Sequence, residues 1–255
     1  MMIGCIIQAR MGSSRLPGKT MKKIDDHYVI DYVIEQLKLA KKSDTMIVAT
    51  TNLVEDDIIC DHLSLKRLKY FRGSSHDVLD RYYRCAKEFS IDVIVRITAD
   101  NPLIDPQIVD LVINEYNIHT CDLVTNTIHR TFPYGTEVEV FSFKALEKAW
   151  KFAKKPSERE HVTPFIRDPE NGFGLINIEN DNDLSFLRYT VDRHEDLELV
   201  KEITKNISKR PILMQDIVDL YKNKPIIFDV NKNVTHDSFL SSLKKDQQYF
   251  KSQKK

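Results

Sequence analysis

GCIIQARMGSSRLPGKT, residues 4–20, starts as a continuous apolar stretch and continues as a loop of glycine, serine and basic residues. The apolar part is typical of a buried strand. The loop carries Arg10, Arg15 and Lys19 beside two glycines, so that backbone amides and positive charges lie close together in sequence. Such a combination after a strand predicts a phosphate-binding turn at the carboxyl end of that strand.

The rest of the chain alternates between strand-like and helix-like patterns. Apolar runs recur at residues 45–50 and 92–98, and residues 75–89 between them place apolar side chains at helical spacing. Strands that are this continuously apolar are typical of parallel sheets covered on both faces. The predicted class is α/β, with a mostly parallel sheet and helices on both faces. Residues 136–142 instead alternate charged and apolar side chains, which predicts a half-exposed antiparallel strand in a small arm or lid.

Composition excludes several kinds of partner. The chain has 38 basic and 38 acidic residues, so no long-range field favours nucleic acid or an anionic membrane. No apolar run approaches the ~20 residues that span a bilayer. The four cysteines are scattered, without a C-x-x-C pair. That distribution is typical of reduced thiols in a cytoplasmic protein.

Two acidic residues follow strand-like runs in opposite halves of the chain. Asp100 ends the run at 92–98, and Asp192 ends a second run at 187–192. Each acid alone is best explained as the cap of a following helix. Together with a basic loop, two carboxylates at neighbouring strand ends favour a Mg²⁺ site, because Mg²⁺ binds one or two carboxylates together with substrate phosphates.

The loop ends in Gly18-Lys19-Thr20, which raises the possibility of a P-loop kinase or ATPase. That motif requires a glycine five positions before its Gly-Lys pair. Ser13 stands there, and Gly12 is one residue too far away. Pro17 also lacks an amide where the P-loop presents one to phosphate. The spacing therefore disfavours a P-loop.

The loop QARMGSSRLPGK, residues 8–19, resembles the signature loop of the CTP-dependent cytidylyltransferases that activate acidic sugars, the acylneuraminate and 3-deoxy-manno-octulosonate type. The chain is most similar to the branch named after a spore-coat polysaccharide biosynthesis protein F. Further blocks carry the resemblance in order: RGSSHDVLDRYY (72–83), VRITADNPLIDP (95–106), PYGTEVEVF (133–141), SEREHVTPFI (157–166) and RYTVDRHEDL (188–197).

The resemblance implies a GT-A-like (Rossmann-like) single nucleotidyltransferase domain over residues 1–255, with a helical C-terminal extension from about residue 205. It also implies a homodimer that transfers CMP from CTP to a small acidic sugar, or to a phosphorylated sugar or polyol, and releases pyrophosphate. Such transfer needs in-line positioning and neutralisation of phosphate charge rather than covalent catalysis.

The same resemblance implies roles for individual residues. The catalytic set is Arg15, Lys19, Asp100 and Asp192, of which Asp100 and Asp192 hold Mg²⁺. The nucleotide would contact Ala9, Arg10, Gly12, Ser13, Ser14, Arg15, Lys19, Arg72, Thr98 and Asp100. The acceptor would contact Glu137, Glu139, Arg159 and His161.

Two other function classes remain open at this point. A GT-A glycosyltransferase would use a finished nucleotide-sugar, but such enzymes usually carry an Asp-x-Asp motif, and the strand here ends in Asp100-Asn101-Pro102. A non-catalytic nucleotide sensor would bind CTP without needing both acids.

Overall fold

The structure of the protein is a computed structural model that describes residues 1–234 and 238–253. Within these ranges lie nine strands. They are β1 (Ile3–Gln8), β2 (Lys23–Ile24), β3 (His27–Tyr28), β4 (Thr45–Thr51), β5 (Tyr70–Gly73), β6 (Val93–Thr98), β7 (Leu123–Thr125), β8 (Glu139–Ser142) and β9 (Leu175–Asn177).

The same described residues form ten α-helices, and short 3₁₀ turns connect some of the elements. The helices are α1 (Val29–Leu37), α2 (Asp57–Leu65), α3 (Val78–Glu88), α4 (Pro106–Ile118), α5 (Phe143–Phe152), α6 (Pro156–His161), α7 (Pro164–Arg167), α8 (His194–Asn206), α9 (Met214–Asn223) and α10 (Ser238–Gln253). No helix in the described ranges is long and apolar enough to cross a membrane.

The main sheet has seven strands in the order β5-β4-β1-β6-β8-β7-β9. β1 lies between β4 and β6 and pairs with both in parallel, and the β4–β5 and β7–β9 pairs are also parallel. Only β8 runs antiparallel to its neighbours, β6 and β7. β2 and β3 form a separate antiparallel pair. The predicted α/β class, with a mostly parallel sheet and a small antiparallel element, is confirmed.

Side chains on alternate positions of the sheet build cores on its two faces. Cys5 and Ile7 of β1 pack with α1, α2 and α4, whereas Ile6 packs with α3, α5 and α7. A third core joins α8 and α9 to Leu16 of the loop after β1. Residues 194–223, at the start of the C-terminal region, therefore pack directly against the loop that defines the site.

The predicted antiparallel strand within residues 136–142 is confirmed, but its predicted exposure in an arm or lid is wrong. Residues 139–142 form β8 inside the main sheet, where Glu139, Val140 and Phe141 are buried, and the small antiparallel pair lies at residues 23–28 instead. The charged side chain in the alternating pattern is buried because Arg96 and Arg167 both pair with Glu139. A carboxylate that gains two such partners can enter the interior, so the alternation did not indicate exposure.

Candidate active site

A cleft of about 630 Å³ opens where β1 and β6 end, at the carboxyl edge of the parallel strands. The loop after β1 forms one wall, and the end of β6 with Asp192 forms another. Helices α3, α6 and α10 close the third side. The lining residues are Gln8, Arg10, Gly12, Ser13, Ser14, Arg15, Lys19, Thr20, Val78, Arg96, Thr98, Ala99, Asp100, Glu160, His161, Asp192 and Lys245.

The loop after β1 is closed by hydrogen bonds to one peptide group. The carbonyl of Met11 accepts from the amides of Ser13 and Gly18, each at 2.9 Å. Gly18 has φ 68°, a left-handed conformation that a side chain would strain. The buried side chain of Leu16 anchors the tip of the loop in the third core. This fixed turn directs Arg15 and Lys19 toward the acids on the opposite wall.

Lys19 lies between the two predicted metal-binding acids. Its Nζ donates to Asp100 Oδ2 at 2.6 Å and to Asp192 Oδ1 at 2.8 Å. Arg15 also donates to Asp192, at 2.8 Å. The amide of Val191 donates to the carbonyl of Asp100 at 2.7 Å, which brings the two acids to one edge of the sheet. The predicted meeting of Arg15, Lys19, Asp100 and Asp192 is thus present in the fold.

The charges in this cluster stabilise one another. Burial opposes the charged form of Lys19, but Asp100 and Asp192 outweigh it and raise the pKa of the ammonium above its ordinary value. Burial likewise opposes the carboxylate of Asp192, yet Lys19 and Arg15 hold its pKa well below the usual range. Lys19 is therefore charged at neutral pH, and so is the carboxylate of Asp192.

The donor set fits Mg²⁺. Across the described ranges no three His, Cys, Asp or Glu side chains come together as a metal cluster. A pair of carboxylates suits an ion that completes its shell with water and substrate phosphate oxygens, which is the preference of Mg²⁺. The hydroxyl of Thr98 donates to Asp100 Oδ1 and orients that carboxylate.

Asp192 is held in place by Arg188 and Asp196, a pair that the sequence patterns did not predict. Its segment is not a regular strand, because residues 187–192 contribute only an isolated bridge between Arg188 and Tyr134. Arg188 donates to Asp192 Oδ2 at 3.2 Å and to both oxygens of the fully buried Asp196 at 3.0 Å. Asp196 in turn accepts from the amide of Asp192 at 2.9 Å. The start of α8 thereby fixes the position of the acid.

Five of the predicted site residues do not line this cleft in the described part of the chain: Ala9, Arg72, Glu137, Glu139 and Arg159. Ala9 packs in the core under the loop. Arg72 lies on β5, where it donates to the carbonyls of Thr51 and Leu53 and pairs with Asp57 at 2.6 Å. The predicted contact of Arg72 with the nucleotide stays a prediction that its position outside the cleft does not support.

The two glutamates predicted to contact the acceptor both bind protein groups. Glu137 accepts from Asn101 at 2.9 Å, from Arg130 at 2.8 Å and from the amide of Gly135 at 3.0 Å. Glu139 lies beneath the cleft floor, paired with Arg96 and Arg167. Burial alone would raise the pKa of Glu139, but these two guanidinium groups lower it to about 2. Glu139 thus orients Arg96, which does line the cleft.

Arg159 and His161 separate although both belong to α6. Arg159 turns to Asp77, with its Nε 2.9 Å from Oδ2, and to the carbonyl of Trp150 at 2.8 Å. His161 lines the cleft, and its Nε2 lies 2.8 Å from Ser242 Oγ of α10. Burial and the nearby charge of Arg96 lower the pKa of His161, so the ring is neutral at neutral pH.

Sequence reasoning missed several lining residues. Arg96 had a recognisable signal, since it is a charged residue inside the apolar run of β6. Gln8 ends the first apolar run in the same way. Lys245 lies on α10 and pairs with Glu160 at 2.9 Å. It comes from a region without any motif, so no signal in the sequence placed it at the cleft.

A parallel sheet with a basic loop and two carboxylates at its carboxyl edge defines a nucleotide-binding site of the nucleotidyltransferase kind. The cytidylyltransferase family matches residues 4–246 of the chain, and the protein belongs to that family.

Relatives of known sequence agree with this assignment. A Methanocaldococcus jannaschii protein is 39% identical over 236 residues, which cover 92% of this chain and 96% of the relative. The spore coat polysaccharide biosynthesis protein SpsF of Bacillus subtilis is 29% identical over 228 residues, 86% of this chain and 94% of SpsF. A 3-deoxy-manno-octulosonate cytidylyltransferase of Pelobacter propionicus is 33% identical over 112 residues, 43% of this chain and 42% of that enzyme.

Solved structures show the same architecture. A cytidylyltransferase of Leptospira borgpetersenii superposes with a TM-score of 0.87 at 34% identity, covering 92% of this chain and all of that one (100%). A CMP:2-keto-3-deoxy-manno-octonic acid synthetase complexed with CTP superposes with a TM-score of 0.63 at 18% identity, covering 81% of this chain and 99% of that one. The second similarity concerns the fold. The resemblance inferred from the sequence blocks is confirmed, and the family assignment favours it over the glycosyltransferase alternative.

Proposed function

We propose that the protein transfers CMP from CTP to an acidic sugar, or to a phosphorylated sugar or polyol, for the synthesis of a surface polysaccharide or glycoconjugate. The observation that carries this proposal is the meeting of Lys19 with Asp100 and Asp192 beside Arg15. Family membership and the relationship to SpsF support the donor and the pathway class.

In the proposed reaction an acceptor oxygen attacks the α-phosphorus of CTP: a hydroxyl oxygen of an acidic sugar, or a phosphate oxygen of a phosphorylated sugar or polyol. A new P–O bond forms, the bond from the α-phosphorus to the oxygen that bridges to the β-phosphorus breaks, and pyrophosphate leaves. Where a hydroxyl attacks, its proton passes to water. Arg15 and Lys19 hold the triphosphate, Lys19 as a compact charge and Arg15 as a planar fork. Asp100 and Asp192 would hold Mg²⁺, which would neutralise phosphate charge and orient the reacting groups.

The acceptor would enter from the side of the cleft that His161, Arg96 and Lys245 line, away from the phosphate loop. Both guanidinium and ammonium groups attract an anionic acceptor. We further propose that the protein is cytoplasmic and forms a homodimer. Sedimentation of the purified protein at several concentrations would test the dimer.

The donor and acceptor are tested together by following pyrophosphate release. The purified protein is incubated with Mg²⁺, each of the four nucleoside triphosphates, and a panel of acidic sugars and phosphorylated sugars and polyols. We expect release with CTP and one class of acceptor, and a CMP-linked product of matching mass. Preference for a purine triphosphate would overturn the donor assignment, and release of a nucleoside diphosphate from a nucleotide-sugar would support the glycosyltransferase instead.

A further inference from the structure

Asp56 is a fully buried carboxylate outside the cleft that contacts the phosphate loop directly. It ends the 3₁₀ turn Val54–Asp56, between β4 and α2. Its Oδ1 accepts from the amide of Met11 at 2.7 Å. Its Oδ2 accepts from Thr50 Oγ1 at 3.0 Å, from the amide of Thr51 at 3.1 Å and from the hydroxyl of Thr51. One oxygen thus holds the end of β4, and the other holds the loop after β1.

Met11 is the residue on which the loop closes. Its carbonyl accepts from Ser13 and Gly18, as described above, and Gly18 directly precedes Lys19. The carbonyl of the preceding residue, Arg10, accepts from Thr20 Oγ1 at 3.0 Å. If the backbone at Met11 shifted, the hydrogen bonds that position Ser13 at the start and Gly18 at the end of the loop would shift with it. Arg15 and Lys19 would then move as well.

The turn that carries Asp56 is itself held in place. Arg72 donates from Nε to the carbonyl of Thr51 at 3.0 Å and from a terminal nitrogen to the carbonyl of Leu53 at 2.8 Å, in the segment that leads into the turn. The turn also lies against the loop at a second point, since a Cβ at Gly12 would come within 2.9 Å of Glu55 Oε1. The contacts run from Arg72 through the turn and Asp56 to Met11.

We propose that Asp56 is a positioning residue for nucleotidyl transfer: it fixes the Met11 peptide so that Arg15 and Lys19 face the triphosphate and the two acids. Asp56 does not line the cleft, so it would act on the reaction only through the loop. Hydrogen bonds from backbone amides to a carboxylate are short and strong, so they suit a loop that must hold two cations in place without moving. This inference rests on the proposed function for its catalytic part and on the loop geometry alone for its structural part.

The first test compares Asp56→Asn with a matched control. Asn keeps the size of the side chain, but its NH₂ group cannot accept a hydrogen bond. Oδ2 of Asp56 accepts from three donors of β4 and Oδ1 accepts only from Met11, so we expect the amide oxygen of Asn to stay with β4 and the contact to Met11 to be lost. Asp31→Asn is the control. Asp31 is also buried and accepts from the Tyr28 amide at 3.0 Å, His62 at 2.7 Å and Lys66 at 2.6 Å, with no contact to the loop.

We expect Asp56→Asn to lower kcat for pyrophosphate release by about 10²-fold, since a small misplacement of catalytic groups has effects of this size. Asp31→Asn should lower the melting temperature without this loss in kcat. If Asp56→Asn does not fold, Thr50→Val removes one hydrogen bond to the carboxylate and should lower kcat by a few-fold. Wild-type kcat in either soluble Asp56→Asn or Thr50→Val would overturn the proposal.

A double-mutant cycle separates positioning from general destabilisation. If Asp56 acts through Lys19 and Arg15, Asp56→Asn will lower kcat by a smaller factor in a Lys19→Gln background than in the wild type, because one of the two cations that it positions is already absent. Multiplicative losses, which we expect from Asp31→Asn/Lys19→Gln, would contradict positioning through Lys19.

Hydrogen exchange provides a readout that does not need the reaction. In Asp56→Asn the amides of Met11, Ser13 and Gly18 should exchange at least several-fold faster than in the wild type, and in Asp31→Asn they should not. Unchanged exchange of these amides would overturn the proposal. Faster exchange in a protein that releases no pyrophosphate from any triphosphate would refute the proposed function and leave the loop assignment intact.

Discussion

Lys19 Nζ lies 2.6 Å from Asp100 Oδ2, and the same ammonium donates to Asp192. One cation from the first loop thus contacts both acids that the end of β6 and the start of α8 bring together. Two carboxylates that share one ammonium group would repel each other if that group were absent. In the proposed reaction these two carboxylates would also hold Mg²⁺, and the competition between Lys19 and the metal ion leads to the first two predictions.

Replacement of either acid should abolish transfer. We expect Asp100→Asn and Asp192→Asn each to lower kcat/KM for pyrophosphate release by about 10²–10³-fold, because charge stabilisation in the transition state is lost. Asp110→Asn is the control, since Asp110 caps the turn at Lys41 and Lys42 away from the cleft. Equal losses in the three variants would show that the effect is structural.

Lys19→Gln should strengthen metal binding while it weakens catalysis. Without the ammonium, one cation no longer competes for Asp100 Oδ2 and Asp192 Oδ1, although Arg15 and Arg188 still pair with Asp192, so a divalent cation can bind there more readily before the nucleotide arrives. Titration with Mn²⁺, followed by electron paramagnetic resonance, should show about tenfold tighter binding than in the wild type, equal to ~1.4 kcal/mol. Arg10→Gln is the control, because it removes a positive charge from the same cleft at a residue that does not pair with either acid. If Mn²⁺ bound Arg10→Gln as tightly as Lys19→Gln, direct competition between Lys19 and the metal ion would be contradicted.

Glu139 should stabilise the fold in a pH-dependent manner. Its pKa falls from 4.5 in the unfolded chain to about 2 in the folded protein, so its contribution is complete above pH 4.5 and is lost as the pH falls toward 2. Glu139→Gln should lower the free energy of unfolding at pH 7 by about 3–5 kcal/mol, because Arg96 and Arg167 lose their buried partner.

Urea unfolding at pH 7 and at pH 3.5 measures both effects. The variant should lose less stability than the wild type between the two pH values. Parallel losses in the two proteins would show that Glu139 titrates at its ordinary pKa in the folded state.

His161 and Arg159 should differ although they share α6. We expect His161→Gln to raise KM for the acceptor by about tenfold, the equivalent of one lost hydrogen bond, and to leave KM for CTP unchanged. Arg159→Gln should leave both KM values near wild type and lower stability by about 1 kcal/mol through its contact with Asp77. A larger effect on acceptor KM from Arg159→Gln would restore its predicted place beside the acceptor.

Much of the fold follows from local patterns, because buried parallel strands and amphipathic helices have recognisable periodicities. The meeting of the loop after β1 with Asp100 was also predictable, since ligand sites gather where parallel strands end. Asp192 was found from an apolar run that was predicted to be a strand, whereas the structure has only an isolated bridge there. The burial of residues 139–142 was not predictable, because the two arginines that neutralise Glu139, Arg96 and Arg167, are distant from it in sequence. The role of Arg72 depends on carbonyl groups of β4 and the following turn, and Lys245 reaches the cleft only through the packing of α10 on α6. Such tertiary contacts leave no periodic signal.

The cleft draws its lining from nearly the whole length of the chain, from Gln8 to Lys245. During synthesis the phosphate loop leaves the ribosome long before Asp192, and Asp192 before α10. A nascent chain that has emerged only as far as β8 has Arg15, Lys19 and Asp100, but it lacks Asp192, the second acid of the site. We therefore expect the growing polypeptide to bind no nucleotide in this cleft, and affinity for the proposed donor to arise only near the completion of translation.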